Sequence, residues 1–194
     1  METINDNLQS SNKKEKKSSI GFYVLLGVMI ILIALFFYLS HYVLIKVAVI
    51  GPSMEQTLYD GDVVLVNTKT KKIEAGDVII IDLAEEGQNE YLIIKRVIAV
   101  GKCTVEIKSD GYVYVDGVKL EEPYLNGALT EASQNIGFDD ATWELQEGEI
   151  FYLGDNREVS ADSRTNGTCT IDDVYGKVFN FSIKYRETFT KILD

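Results

Sequence analysis

The sequence predicts an all-β domain of antiparallel sheets, with an inserted β-hairpin subdomain, behind one N-terminal membrane helix. Three observations carry this. Ile20 to Ser40 is 21 residues without a charge. Past residue 50 the apolar residues fall in short runs of β-branched and aromatic type, cut by Gly-Asp and Asp-Gly turns. Between residues 104 and 117 the runs alternate apolar and polar, the period of a half-buried strand.

Residues 1–19 are polar and rich in Lys, Ser and Asn, and lack periodicity, which predicts a disordered tail. A bilayer core of about 30 Å takes roughly 20 apolar residues as helix, so residues 20–42 are expected to span it. A secretory h-region is shorter and leads to small residues at a cleavage site. Here the run passes into His41-Tyr42-Val43-Leu44-Ile45 with no Ala-x-Ala exit, so the segment reads as an uncleaved anchor. Lys13, Lys14, Lys16 and Lys17 precede it and only Lys46 comes soon after, which places the N-terminus in the cytoplasm and the rest outside.

Beyond the anchor, Lys46–Ile50 reads as a short strand stopped by Gly51-Pro52, because Pro cannot donate into a ladder. Asp60-Gly61-Asp62 is a turn and Val63–Asn67 the next strand; Gly76-Asp77 opens Val78–Ile81. Tyr91 to Val100 is long and apolar apart from Lys95-Arg96. Val105–Lys108 and Tyr112–Val115 flank Asp110-Gly111, the strongest short hairpin signal. Residues 125–148 read as loops with little core, and strands near 150–153 and 175–184 close the fold. The expected organisation is therefore a β-core of 43–103 and 150–194, with 104–149 inserted.

The net charge of −11 argues against a nucleic-acid partner, which needs clustered Lys and Arg. No His, Cys or carboxylate cluster has metal-ligand spacing, so neither a metal nor another cofactor is expected. Cys103 and Cys169 fall in the external part, where oxidising conditions permit a disulfide. Sequence alone leaves open whether they pair or stay as buried thiols.

The chemistry centres on Gly154-Asp155-Asn156-Arg157-Glu158-Val159-Ser160-Ala161-Asp162-Ser163-Arg164, a polar cluster that comes directly after the apolar run Ile150–Leu153. Such a cluster at the end of a buried strand can hold other side chains by hydrogen bonds and charge pairs. Its company is one Ser after a Gly-Pro turn, Ser53, and one Lys in an apolar strand, Lys95. A serine hydroxyl needs a base to become nucleophilic. The only His, His41, lies at the outer end of the anchor, so a Ser-His-Asp solution is excluded. A buried Lys can serve, since an apolar setting disfavours its charged form. Adjacent strand residues point to opposite faces, so only one of Lys95 and Arg96 can enter a site, and Arg stays protonated. The Gly-Pro turn can expose the Ser53 hydroxyl and aim backbone N–H groups at an oxyanion. A separation of about 3 Å between hydroxyl oxygen and amine nitrogen is then expected.

Ser53-Met54 with Thr57-Leu58, Gly61-Asp62-Val63-Val64, Lys95-Arg96-Val97-Ile98-Ala99 and the Gly154–Arg164 cluster resemble, in order, the boxes of type I signal peptidases. The single anchor is similar to the Gram-positive form. The resemblance implies a signal-peptidase-like β fold and no cofactor. It implies Ser53 as nucleophile, with its backbone N–H as an oxyanion donor, and Lys95 as general base. It further implies Ser160 as the residue that orients the amine, Asp162 with Arg164 as a supporting pair, and Asp155, Asn156 and Arg157 shaping the same loop. Substrates would be secretory preproteins with small residues at −1 and −3, bound as an extended strand at the bilayer surface. Some members carry a serine donor two residues before the nucleophile; here that position is Gly51.

Two departures stand out. Gln56 replaces the Pro of the family's Ser-Met-x-Pro-Thr-Leu, and Gly101-Lys102-Cys103 stands where Pro-Gly-Asp is usual. Loss of that Pro predicts a less rigid turn after the nucleophile. Similar departures occur in accessory members tied to pilus assembly, so secretion or pilus machinery is a further expected partner. Two alternatives remain at this level. One is a non-catalytic relative acting as a chaperone for surface or pilus proteins, which the retained Ser53, Lys95 and Ser160 oppose. The other is a self-cleaving repressor-type regulator, which the anchor opposes.

Overall fold

The computed structural model describes residues 20–38, 44–84, 91–132 and 140–179. Helix α1 (Ile20–Tyr38) is 19 residues long, uncharged throughout, and long and apolar enough to cross a membrane. Residues 1–19 and 39–43, with His41, fall outside the described residues, as does the chain beyond 179.

From residue 44 the chain forms a separate compact unit. Its strands are β1 (Leu44–Ala48), β2 (Val63–Asn67), β3 (Val78–Asp82), β4 (Leu92–Val100), β5 (Thr104–Ile107), β6 (Val113–Val115), β7 (Val118–Lys119), β8 (Ala141–Glu144), β9 (Glu149–Leu153), β10 (Cys169–Thr170) and β11 (Val174–Val178). One short helix, α2 (Ser163–Asn166), lies between β9 and β10. Seven strands form an antiparallel sheet in the order β1-β2-β11-β3-β4-β9-β10, and four form a second in the order β7-β6-β5-β8.

β4 positions the site. Its first five residues pair with the whole of β3, from Asp82↔Leu92 to Val78↔Arg96. Its ladder with β9 begins only at Arg96↔Leu153 and breaks register at Val97/Ala99. Among the described residues, Leu92–Lys95 therefore carry a ladder partner on one side only, and that open edge ends at Lys95.

The alternation of β9 explains the layering. Phe151 and Leu153 join Ile98, Val105, Ile107, Val113 and Leu145 in one cluster, whereas Ile150 and Tyr152 join Ile79, Ile81, Val97 and Cys169 on the other face. The second sheet thus shares its core with β4 and β9. The segment expected to be loop with little core holds β8, whose Trp143 ring packs 5.0 Å from Phe151. Four residues of Ala-Thr-Trp-Glu are too short an alternation to stand out in sequence; pairing with β5 makes them a strand. Cys103 packs with the first cluster and Cys169 within the second, so the two lie on opposite faces of the sheet, and both thiols are free. Burial pushes the Cys169 thiol up to about 12, which makes it an inert core residue.

Candidate active site

Ser53 closes the tight segment after β1. Gly51, at φ +83, takes the left-handed bend that a side chain would resist. The Gly51 N–H donates to Asp60 Oδ1 at 2.8 Å, which ties the bend to the next turn. Met54 and Leu58, both buried, anchor the segment on the far side of Ser53.

Lys95 enters from the end of the open edge of β4. Its Nζ lies 2.9 Å from Ser53 Oγ and 2.9 Å from the carbonyl of Ile94. The residue is only 3 % exposed. Burial lowers its pKa from the ordinary 10.5 to about 8, against the opposing pull of Asp162 and Asp155. A neutral amine at this distance can accept the hydroxyl proton.

The loop after β9 seats both residues. The Asn156 N–H donates to the Ser53 carbonyl at 3.0 Å, and its side-chain amide to that of Pro52 at 3.1 Å. Asp155 receives Arg96 through two bonds, 2.8 and 2.6 Å, with the carboxylate fully buried. Asp162 receives Arg164 in the same two-pronged way, at 2.8 and 3.0 Å, and also the Gly154 N–H at 3.1 Å. It caps α2 as well, by accepting from the Arg164 N–H. Ser160 is 1 % exposed. It packs so closely on Gly154 that a Cβ there would stand 2.2 Å from Ser160 Oγ and 2.5 Å from the Ser53 carbonyl oxygen.

The structure thus brings Ser53, Lys95, Asp155, Asn156, Arg157, Ser160, Asp162 and Arg164 into one region. It adds residues that sequence reasoning passed over. The strap at 121–132, from the second sheet's connection, reaches across to the loop. Glu122 pairs with Arg157 at 2.5 Å with both side chains buried, and Thr130 bonds the same guanidinium. The Tyr124 ring lies 4.0 Å from the Arg96 guanidinium carbon, and the Glu131 carbonyl accepts from Arg164 at 2.9 Å. No periodic pattern marks Glu122-Pro123-Tyr124. A carboxylate and an aromatic ring beside a proline turn read alike whether they face solvent or an arginine. Removing one charge of a buried pair leaves the other uncompensated, which costs roughly 3–5 kcal/mol. Glu122→Gln, whose amide NH2 cannot accept from the guanidinium, is accordingly expected to lower stability by about the lower end of that range in urea unfolding, since Arg157 keeps Thr130 and the Gly154 carbonyl.

A cleft of about 530 Å³ runs from this region along the segment 47–53 on one side and Tyr91–Lys95 on the other. Val49, Ile80 and Ile94 are among the residues that line it. Apart from Ser53 and Lys95 its side chains are apolar, save Tyr91 and Asn166.

Residues 22–182 match the family model described as signal peptidase, peptidase S26. The chain belongs to the signal peptidase family. A signal peptidase I of Bacillus amyloliquefaciens is 34% identical over 161 residues, 80% of this chain and 81% of that protein. A signal peptidase IB of Staphylococcus aureus is 34% identical over 158 residues, 73% of this chain and 79% of that one. The crystal structure of a signal peptidase I from Enterococcus faecalis is 30% identical and covers 56% of this chain and 97% of that one, with a TM-score of 0.44. This signal peptidase is a serine peptidase with antiparallel β sheets and one helix fit to span a membrane, and its substrates are preproteins that bear a signal peptide.

Proposed function

We propose that Ser53 and Lys95 carry out the cleavage, with α1 anchoring the chain, its N-terminal side cytoplasmic and the β domain on the outer face. The observation that carries the residue assignment is the 2.9 Å approach of a buried amine to the hydroxyl. The preprotein enters the cleft as an extended strand and adds to the open edge of Leu92–Lys95. Small residues at −1 and −3 face the wall of Val49, Ile80 and Ile94.

Ser53 Oγ attacks the scissile carbonyl carbon as its proton passes to neutral Lys95 Nζ. The Ser53 backbone N–H stabilises the oxyanion that forms. The carbon–nitrogen bond then breaks, and the Lys95 ammonium returns the proton to the departing amine of the mature protein. Lys95, neutral again, takes a proton from water as the water oxygen attacks the acyl carbon. The bond from that carbon to Ser53 Oγ then breaks, the Lys95 ammonium returns the proton to Oγ, and the signal peptide leaves as a carboxylate with its acid proton passing to solvent. Ser160 orients the Lys95 amine. Asp162 with Arg164, and Asp155 with Arg96, hold the loop rigid, while Asn156 ties it to the Ser53 segment and Arg157 ties it to Glu122 and Thr130 of the strap.

The test is cleavage of a preprotein with an Ala-x-Ala exit by the full chain in detergent, read by the new N-terminus. The parent should cut after the −1 Ala and Ser53→Ala should be inert while folded. A parent that binds such preproteins without cutting them would favour a chaperone of surface or pilus proteins, and persistent cutting by Ser53→Ala would dismiss the nucleophile.

A further inference from the structure

The turn after Ser53 is not a loosened form of the proline turn in the family box. The Met54 carbonyl accepts from the Thr57 N–H at 3.1 Å and the Leu58 N–H at 2.8 Å. Met54–Thr57 is therefore a hydrogen-bonded four-residue turn, and Gln56 is its third residue, at φ +82. A φ near +80° at that place belongs to a type II turn, which favours Gly or Asn there. Proline cannot take it, because its ring fixes φ near −65°. The expected loss of rigidity on replacing Pro thus gives way to a different turn.

A non-Gly residue held at such a φ costs on the order of 1–3 kcal/mol and persists only where its surroundings impose it. Gln lacks the short side chain by which Asn or Asp eases this conformation. The group that grips Gln56 comes from 70 residues away. Its Oε1 accepts from Asn126 Nδ2 at 2.9 Å. Asn126 is itself left-handed, at φ +50, where it ends the 3-10 turn Pro123–Leu125. That turn is firmly seated, since Leu125 is buried, Glu122 is paired with Arg157, and Tyr124 stacks on Arg96. Arg96 in turn reaches Thr57 Oγ1 at 3.4 Å. The strap thus touches the nucleophile's turn twice, directly at Gln56 and through Arg96 at Thr57.

We propose that Gln56 is a positioning residue: clasped by Asn126, it holds the Met54–Leu58 turn in the left-handed form that keeps the Ser53 hydroxyl in register with Lys95. This rests on Ser53 as nucleophile. Gln56 is exposed, and an exposed hydrogen bond adds little to stability. The effect of the clasp should therefore appear in turnover and not in melting.

Gln56→Gly separates the two, because it relieves the strained φ while it removes the clasp. Its Tm is expected to rise by about 2–4 °C, with kcat down about tenfold and KM within twofold of the parent. Gln56→Glu keeps an acceptor for Asn126 and should restore kcat to near parental. Asn126→Gly tolerates its own left-handed φ and should lose the same factor in kcat, with the double variant no worse than either. Parental kcat in Gln56→Gly, additive losses in the double variant, or Tm and kcat falling together without rescue by Gln56→Glu would each overturn the proposal. Ser53→Ala run alongside keeps the two readings apart. If it is inert while Gln56→Gly is parental, only the clasp fails; if it still cuts, the nucleophile fails first.

Discussion

Lys95→Met is expected to lose cleavage by roughly 10³–10⁴-fold, the upper range for a general base, and yet to melt at a higher temperature than the parent. Both results arise from burial. In the native chain the amine sits among apolar neighbours and its pKa falls from 10.5 to about 8. In the unfolded chain it regains the ordinary value, so at neutral pH unfolding releases a charge from a site that disfavours it. A shift of this size amounts to about 3 kcal/mol against the native state. The penalty is complete below pH 8, shrinks as pH rises from 8 toward 10.5, and vanishes above. The stability gained by Lys95→Met should be largest at pH 7 and fade over that interval in parallel urea titrations. For the parent, kcat/KM should climb with pH through about 8 as the amine becomes neutral. A variant less stable than the parent at pH 7, or a parental rate that is flat from pH 7 to 9, would mean that Lys95 is not the buried base.

Gly154→Ala adds one methyl group and is expected to cost on the order of 10²-fold in kcat. The new Cβ would lie 2.2 Å from Ser160 Oγ, 2.5 Å from Ser160 Cβ and 2.5 Å from the Ser53 carbonyl oxygen. None of these can move alone. Ser160 is buried, and the Ser53 carbonyl is tied to the Asn156 N–H at 3.0 Å. The loop must back away from the nucleophile segment, and a displacement near 1 Å in a reacting geometry carries about that penalty. Overpacking should also lower stability by roughly 1–3 kcal/mol. Steady-state kinetics with a thermal melt check both; parental turnover would show that loop and nucleophile segment can part without consequence.

Much of this architecture is legible in the chain because its strands are apolar and β-branched. Val63–Asn67 and the core of Val78–Asp82 read directly, and the Asp110-Gly111 turn marks the hairpin. The approach of Lys95 to Ser53 could be expected from the Gly-Pro turn and the apolar strand only together with the resemblance to the signal peptidase boxes, since either residue alone reads equally as a turn serine or an edge lysine. The strap could not. Glu122, Tyr124 and Asn126 act on residues 35, 28 and 70 positions away, and polar residues in a loop show no periodicity from which such partners can be read. Gln56 was visible as a departure, but its left-handed φ depends on Asn126 and on the Met54–Leu58 anchor. The fate of the cysteines was equally hidden, because it turns on which face of β9 each one packs against.

The order in which the site's parts occur along the chain bears on biosynthesis. Ser53 and Lys95 both lie in the first half, whereas the Gly154–Arg164 loop that seats them begins more than fifty residues after Lys95. A ribosome makes the two residues proposed to attack and to accept the proton well before the segment that aligns them. During those seconds of synthesis a nascent chain carries Ser53 and Lys95 without the loop that seats them.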